Sequence, residues 1–113
     1  MEILNPQAKR HPFLSEMMDD AFFPQPLVLK GVKILEDLCL AMEKEQPKNL
    51  AGLYQLTHQA TLLFNNLGEE LLENDSELDT VAREIIAADF EFIASAYGFV
   101  DADVEELIEP RDW

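Results

Sequence analysis

The amino-acid sequence predicts an all-α fold, a compact bundle of three principal antiparallel helices plus two short helices. Apolar residues recur every three or four positions through three long segments, and no segment alternates as a strand does. Short connections between these segments favour antiparallel neighbours. With 113 residues, 48% of them hydrophobic, the chain can build one core. We expect a single helical domain at residues 12–113, after an irregular N-terminal segment at residues 1–11.

The first short helix is expected to start at Pro12, because proline suits a first helical position. Five apolar residues share one face of this helix: Phe13, Leu14, Met17, Met18 and Ala21. Pro24 and Pro26 must end it, since proline lacks a backbone donor and restricts the residue before it.

The next two helices are defined by their apolar faces. The first runs from Leu27 to about Glu45, and Gly31 within it predicts close approach of another backbone, because glycine is otherwise costly in a helix. Its buried arc comprises Val28, Gly31, Val32, Leu35, Leu38, Cys39 and Met42. Asn49 is a natural N-cap for the second helix, which runs to about Glu73. The face of that helix comprises Leu50, Leu53, Thr57, Ala60, Phe64, Leu67 and Leu71.

The third long helix is expected over residues 77–97. Ser76-Glu77-Leu78-Asp79 resembles a capping box, with Asp79 in place of the usual Glu or Gln. The apolar face comprises Leu78, Val81, Ala82, Ile85, Phe92, Ile93 and Ala96. Gly98 suits the left-handed residue that follows a helix.

The last short helix is expected to be capped by Asp101 or Asp103 and to end at Pro110. Arg111 and Trp113 follow it. We expect both to dock onto the bundle, because an aromatic side chain of this size can bury about 150–250 Å².

Charge is divided very unevenly along the chain. Residues 1–48 carry 8 acidic and 6 basic side chains, a net of −2, whereas residues 49–113 carry 15 acidic and 2 basic side chains, a net of −13. A surface of this sign repels nucleic acid and anionic membranes and attracts basic proteins and cations.

Composition also bears on the compartment and on cofactors. No apolar stretch approaches a membrane span, and the first residues lack the pattern of a signal peptide. The single cysteine, Cys39, cannot form an internal disulfide, so we expect a cytoplasmic protein. Cys39 lies on a core arc and is interpreted as an inert apolar residue. We expect no cofactor and no metal, since phosphate loops, dinucleotide motifs and zinc motifs are missing and His11 and His58 are the only histidines.

Asp89 is the most informative single position. At 100° per residue it lies near the centre of the apolar arc of the third long helix, where an unpaired carboxylate would cost several kcal/mol. Its partner is expected among His58, Arg111, Tyr54, the Trp113 indole and a free amide at a helix start. The position indicates a structural carboxylate, a catalytic one with a raised pKa, or a carboxylate that is locally exposed.

Four polar residues lie beside the apolar face of helix 49–73 and are called the polar seam: Tyr54, His58, Thr61 and Asn65. Such a row can make hydrogen bonds at the edge of a core, or hold a small ligand, or start a proton relay. With Asp89 and Arg111, it forms the candidate site of a ligand binder or an enzyme.

A second set of residues falls on the outer face of the third long helix. Its acidic members are Glu77, Glu84 and Glu91, accompanied by Thr80 and Ser95. This stripe is either a solvated face that favours solubility or a recognition face for a basic partner.

Several short motifs resemble those of a family of small, acidic, all-helical bacterial proteins classed as a domain of unknown function. They are Leu53-Tyr54-Gln55-Leu56-Thr57-His58, Ser76-Glu77 with Thr80 and Ala82-Arg83-Glu84, Asp89-Phe90 with Tyr97-Gly98-Phe99, and Glu105-Glu106-Leu107-Ile108 with Arg111-Asp112-Trp113. The resemblance covers about residues 12–113. It implies a helical domain and a bacterial source, and it brings no activity or functional residue.

Two classes of function remain open. The sequence favours a non-catalytic interaction module that binds a basic protein, in an inhibitor- or immunity-like or adaptor role. The alternative is a small-ligand binder or enzyme that uses the polar region around His58 and Asp89. A solvent-reachable cavity lined by both residues would favour the alternative, and a homodimer is compatible with either class.

Overall fold

The structure is a computed structural model that describes residues 2–113. Three long helices dominate it. Within those residues there are six helices and no strand. The helices are α1 Pro6–Arg10, α2 Ser15–Met18, α3 Gln25–Glu45, α4 Leu50–Glu73, α5 Thr80–Ala96 and α6 Val104–Leu107. The predicted all-α bundle is confirmed.

Helices α3 and α4 form the principal antiparallel pair. The Lys30 ammonium lies 2.8 Å from the Glu70 carboxylate, which joins the start of α3 to the end of α4. At Gly31, an added Cβ would lie 2.7 Å from Leu14 and 3.3 Å from both Phe64 and Leu67. The absence of a side chain at Gly31 therefore makes room for neighbouring side chains. The sequence predicted the close approach of another backbone at this position.

Helix α5 packs across this pair. Phe90 and Ile93 are completely buried, and the ring of Phe90 meets that of Phe64 edge-on at 5.9 Å between centroids. At its end, Phe99 N donates to Ala94 O and Gly98 N donates to Ser95 O, with φ of 92° at Gly98. This is the expected glycine-terminated helix end, a Schellman motif.

The structure corrects further expectations about the helices. The helix expected to start at Pro12 is α2, which begins at Ser15. The segment predicted to be irregular contains α1, whose N-cap Asn5 accepts from Gln7 N and Ala8 N. Helix α5 begins at Thr80, because Asp79 is itself the N-cap and accepts from Ala82 N at 2.9 Å. Ser76-Glu77-Leu78-Asp79 is therefore not a capping box.

Another correction concerns the buried face of α5. Val81 is 53% exposed, although it was placed on that face. Phe90 and Ala94 are buried although they were not placed there. The reason is that α5 contacts α1, α2, α3 and α6, so that it is covered on several sides and a single arc does not describe it.

Candidate functional site

The polar seam of α4 binds the backbone of the C-terminal segment. Tyr54 Oη accepts from Asp103 N at 3.1 Å. His58 Nε2 lies 2.6 Å from Glu106 O, and it must donate there because a carbonyl oxygen only accepts. The first half of the seam therefore positions α6 at both its cap and its last turn.

The second half of the seam continues this contact along the chain. Thr61 Oγ1 donates to Thr57 O at 2.8 Å and lies 3.3 Å from Leu107 O. Asn65 donates from Nδ2 to Pro110 O at 3.1 Å and accepts at Oδ1 from Asp112 N at 3.1 Å. The seam residues come one helical turn apart, so each reaches the next part of the segment. Each of the four side chains therefore has at least one polar atom bonded to the protein's own backbone.

Asp89 lies apart from the seam, against the N-terminal segment. It is 7% exposed, as expected. Its Oδ2 accepts from Leu14 N at 2.9 Å, and its Oδ1 lies 2.8 Å from His11 Nε2. Leu14 is the N-cap of α2, so the expected free amide at a helix start is one partner.

The other partner, His11, was not foreseen from the sequence. The remaining expected partners, which are Tyr54, His58, Arg111 and Trp113, make no hydrogen bond to Asp89 in the part of the chain that the structure describes. The sequence offered no signal for His11, because it lies 78 residues from Asp89 and outside any predicted helix.

The His11 ring is held by aromatic neighbours. It stacks on Phe92 with 3.8 Å between centroids and meets Phe13 edge-on at 4.8 Å. A cavity of about 160 Å³ borders His11, Asp89 and Ser15. A histidine–carboxylate pair can support acid–base chemistry when it activates a nucleophile. Between residues 2 and 113, however, no hydrogen bond joins Ser15 to His11, and both Asp89 oxygens are occupied.

Trp113 docks onto the bundle as expected, while Arg111 stays exposed. The Trp113 ring meets Phe64 edge-on at 6.4 Å between centroids. The Arg111 guanidinium lies 5.7 Å from the centre of the Trp113 ring and 3.6 Å from the Glu105 carboxylate. Trp113 Nε1 is buried without a hydrogen-bond partner in residues 2–113.

Glu43 forms a second carboxylate site that the sequence did not indicate. Its Oε2 accepts from Tyr97 Oη at 2.5 Å and from Asn5 N at 3.0 Å, while Leu4 N donates to Oε1 at 2.9 Å. Burial alone would raise the pKa of Glu43, but the hydrogen bonds from Tyr97, Asn5 and Leu4 outweigh it and hold that pKa below 4.5.

Burial also perturbs the two groups beside Glu43. It raises the pKa of the Cys39 thiol to about 12, and Cys39 is completely buried. Burial and the hydrogen bond to Glu43 raise the pKa of Tyr97 far above its usual value. A cavity of about 380 Å³ adjoins the cluster. Since the Glu43 carboxylate already accepts from three residues, its evident role is to hold the N-terminal segment against α3 and α5.

The predicted acidic stripe is solvent-exposed. Glu84 and Glu91 lie on α5, while Glu77 precedes the helix. Thr80 and Ser95, which accompany them, are exposed as well. No Lys or Arg of the described chain lies within ion-pair distance of these three glutamates.

Glu77 also borders a groove of about 370 Å³ between the C-terminal part of α4 and the C-terminal segment. We call it the Trp113 groove. Its lining comprises Asn65, Gly68, Glu69, Leu72, Glu77, Leu78, Asp112 and Trp113. The groove therefore combines apolar side chains with three carboxylates.

A family model described as a family of unknown function, DUF5713, matches residues 7–113. The chain belongs to DUF5713. The expectation of a family of unknown function is thereby confirmed, and the match begins slightly earlier than expected, so that it includes most of α1. No curated protein and no solved structure is significantly similar to the chain.

The DUF5713 match spans the polar seam, the Asp89 pair and the Trp113 groove, and it spans the Glu43 cluster except for Leu4 and Asn5. Two further findings concern the described residues. No three His, Cys, Asp or Glu side chains among them are grouped so that they could hold a metal ion. None of their helices has the length and apolar character needed to cross a membrane.

Proposed function

We propose that the protein is a non-catalytic interaction module that binds a basic protein through its acidic second half, in an inhibitor- or immunity-like or adaptor role. One observation carries the proposal. Residues 49–113 have a net charge of −13, yet Glu70 and Glu105 are the only acids there within ion-pair distance of a Lys or Arg of residues 2–113. The other carboxylates can therefore be hydrated by solvent or bind a positively charged partner.

The geometry of α5 supports this use of the charge. Glu84 and Glu91 are exposed and two helical turns apart, so they lie on the same side of the helix. Arg83, the only basic residue of α5, donates its Nε to Leu78 O and makes no ion pair with them. Exposed charges of one sign steer an oppositely charged partner toward the surface.

A non-catalytic role is supported by the way the polar groups are used. The seam residues bond the C-terminal segment, and Asp89 bonds the N-terminal segment. A ligand binder or enzyme at His58 and Asp89 would need the two side chains to face a common space, and each faces a different segment. Nucleic acid and anionic membranes, which carry the same sign of charge, are not partners in this proposal.

We also place the interaction in the cytoplasm. The single cysteine is a free, buried thiol, which fits a reducing compartment.

The test compares two charge-reversed proteins with the wild type. Glu84→Lys with Glu91→Lys reverses the stripe, whereas Glu36→Lys with Glu45→Lys makes the same change at exposed positions of α3. We expect the first variant to recover less of a basic partner from host lysate at low salt, and the control to recover as much as the wild type. The interaction should weaken with salt, because the Debye length falls from about 10 Å at 0.1 M to about 3 Å at 1 M. Equal recovery by all three proteins would contradict the proposal.

A further inference from the structure

The Trp113 groove has an apolar floor that is exposed at Leu72 and partly exposed at Trp113, while Leu78 beside them is buried. Leu72 lies on α4 and is 63% exposed, although leucine is usually buried. Trp113 and Leu78 stand beside it in the same groove. Apolar area that remains in water favours association with another apolar group.

Carboxylates border this floor. Glu69, Glu77 and Asp112 line the groove and are exposed, and none lies within ion-pair distance of a Lys or Arg of residues 2–113. Two arginines lie near the groove. Arg111 lies 3.6 Å from the Glu105 carboxylate and beside the ring of Trp113, and Arg83 donates its Nε to Leu78 O. Among residues 2–113, therefore, no ion pair neutralises the carboxylates of the rim.

These two properties together define the chemistry of an occupant. The apolar floor favours an apolar side chain, and the acidic rim favours positive charges around that side chain. A second copy of this chain is disfavoured, because a molecule with a net charge of −15 would approach a rim of the same sign.

We propose that the Trp113 groove binds a basic segment of a protein partner. One apolar side chain of the segment rests on Leu72 and on the exposed part of Trp113, and its Lys or Arg side chains lie against Glu69, Glu77 and Asp112. This inference rests on the proposed function, since it names the docking site and the kind of segment that the acidic half recognises.

The protein contains its own reporter for this site. Trp113 is the only tryptophan of the chain, so its fluorescence reports on the groove alone. The probe is a blocked synthetic peptide of about 14 residues, roughly four helical turns, with Leu at every third or fourth position and Lys elsewhere. A second peptide with Ser in place of Leu keeps the charge and removes the apolar anchor. We expect a saturable change in Trp113 emission with the first peptide and at least tenfold weaker binding with the second.

Matched variants separate the groove from the rest of the surface. Leu72→Ser should weaken binding of the Leu-containing peptide about tenfold, whereas Leu62→Ser should not, because Leu62 is 51% exposed on the same helix and lies outside the groove. Glu69→Gln with Glu77→Gln should weaken binding and reduce its salt dependence. Glu36→Gln with Glu45→Gln, at exposed positions of α3, should do neither. Each of these side chains is exposed or half-exposed, so the melting curves should remain close to that of the wild type.

Three results would overturn the inference. They are an unchanged Trp113 emission with the Leu-containing peptide, equal weakening by Leu72→Ser and Leu62→Ser, and a dimer in solution that Leu72→Ser dissociates. The proposed function is judged separately by the recovery experiment on Glu84 and Glu91. Loss of recovery there, with no peptide effect at Trp113, would leave the interaction module standing and remove the groove from it.

Discussion

Asp89 is a buried charged residue that joins two parts of the chain. Its oxygens accept from Leu14 N and His11 Nε2, and its removal would leave a buried backbone donor without a partner. We expect Asp89→Ala to lower the free energy of unfolding by roughly 2–4 kcal/mol, the scale for breaking a buried pair. Urea titration measures this change.

Glu91 supplies the control for that measurement. It lies two residues further along α5 and is exposed, so Glu91→Ala should change stability by no more than about 0.5 kcal/mol. A urea midpoint of Asp89→Ala within error of the wild type would refute the structural role of the carboxylate.

Glu43 gives the protein a defined response to acid. Its pKa is depressed in the folded state, so the unfolded state takes up a proton more readily as pH falls. Its stabilising contribution is therefore complete above the unfolded value of 4.5 and is lost as pH falls through the lower folded value. We expect the melting temperature of Glu43→Gln to lie below that of the wild type at pH 7, with the difference shrinking below pH 4.5.

A neighbouring glutamate serves as the control for Glu43. Glu45 is exposed on the same helix and makes no hydrogen bond to the N-terminal segment in the described residues. Glu45→Gln should follow the wild type across the pH range. A difference between Glu43→Gln and the wild type that stays constant with pH would show that ionisation of Glu43 does not stabilise the fold.

At the scale of elements, the C-terminal segment depends on α4 for its position. Asn65 makes one hydrogen bond to Pro110 O and another to Asp112 N. We expect Asn65→Ala to cost about 1–3 kcal/mol, because two backbone groups lose their partner. Trp113 emission should shift to longer wavelength as the ring becomes more exposed to water.

The adjacent residue offers a control of the same type. Asn66 is exposed, and Asn66→Ala should leave both the melting temperature and Trp113 emission unchanged. If Asn65→Ala behaved in the same way, the segment would be held by α6 and Trp113 packing alone.

The helices differ in how much of them local sequence determines. The N-cap of α4 and the left-handed glycine after α5 were predicted to the residue, because Asn49 and Gly98 perform a local task. The buried face of α5 was not, because it depends on which elements pack around the helix. Helix α1 was missed because a five-residue helix has no periodicity, and only its cap at Asn5 and the following proline mark it.

The candidate sites also differ in how much of them local sequence determines. The seam residues were identified because their spacing is visible within one helix, yet their partners, residues 103–112, were not. Asp89 was identified because a carboxylate interrupts an apolar arc. The Glu43 cluster and the Trp113 groove join residues from distant parts of the chain, and no periodicity within one segment reports such contacts.

For the whole molecule, the net charge of −15 makes stability dependent on salt. Like charges repel one another in the compact state, and salt screens this repulsion. Between about 0.01 M and 0.1 M NaCl the Debye length falls from about 30 Å to about 10 Å, so we expect the melting temperature to rise by several degrees.

The charge-reversed variants provide the comparison. Glu84→Lys with Glu91→Lys makes the net charge less negative by four units, so its melting temperature should rise less with salt. Differential scanning calorimetry of the two proteins gives both values. A melting temperature of the wild type that falls with NaCl would show that attractive charge contacts outweigh the repulsion.

The fixing of both terminal segments has a consequence for the order of folding. Asn5 Nδ2 donates to Ala96 O across 91 positions of sequence, and Leu14 N donates to Asp89 across 75. The seam closes loops of 45 to 49 residues onto the C-terminal segment. The helices can form from local contacts, whereas these links need large loops to close. Amide protons of the terminal segments should therefore be the last to gain protection during folding, after the α3–α4 pair has already assembled.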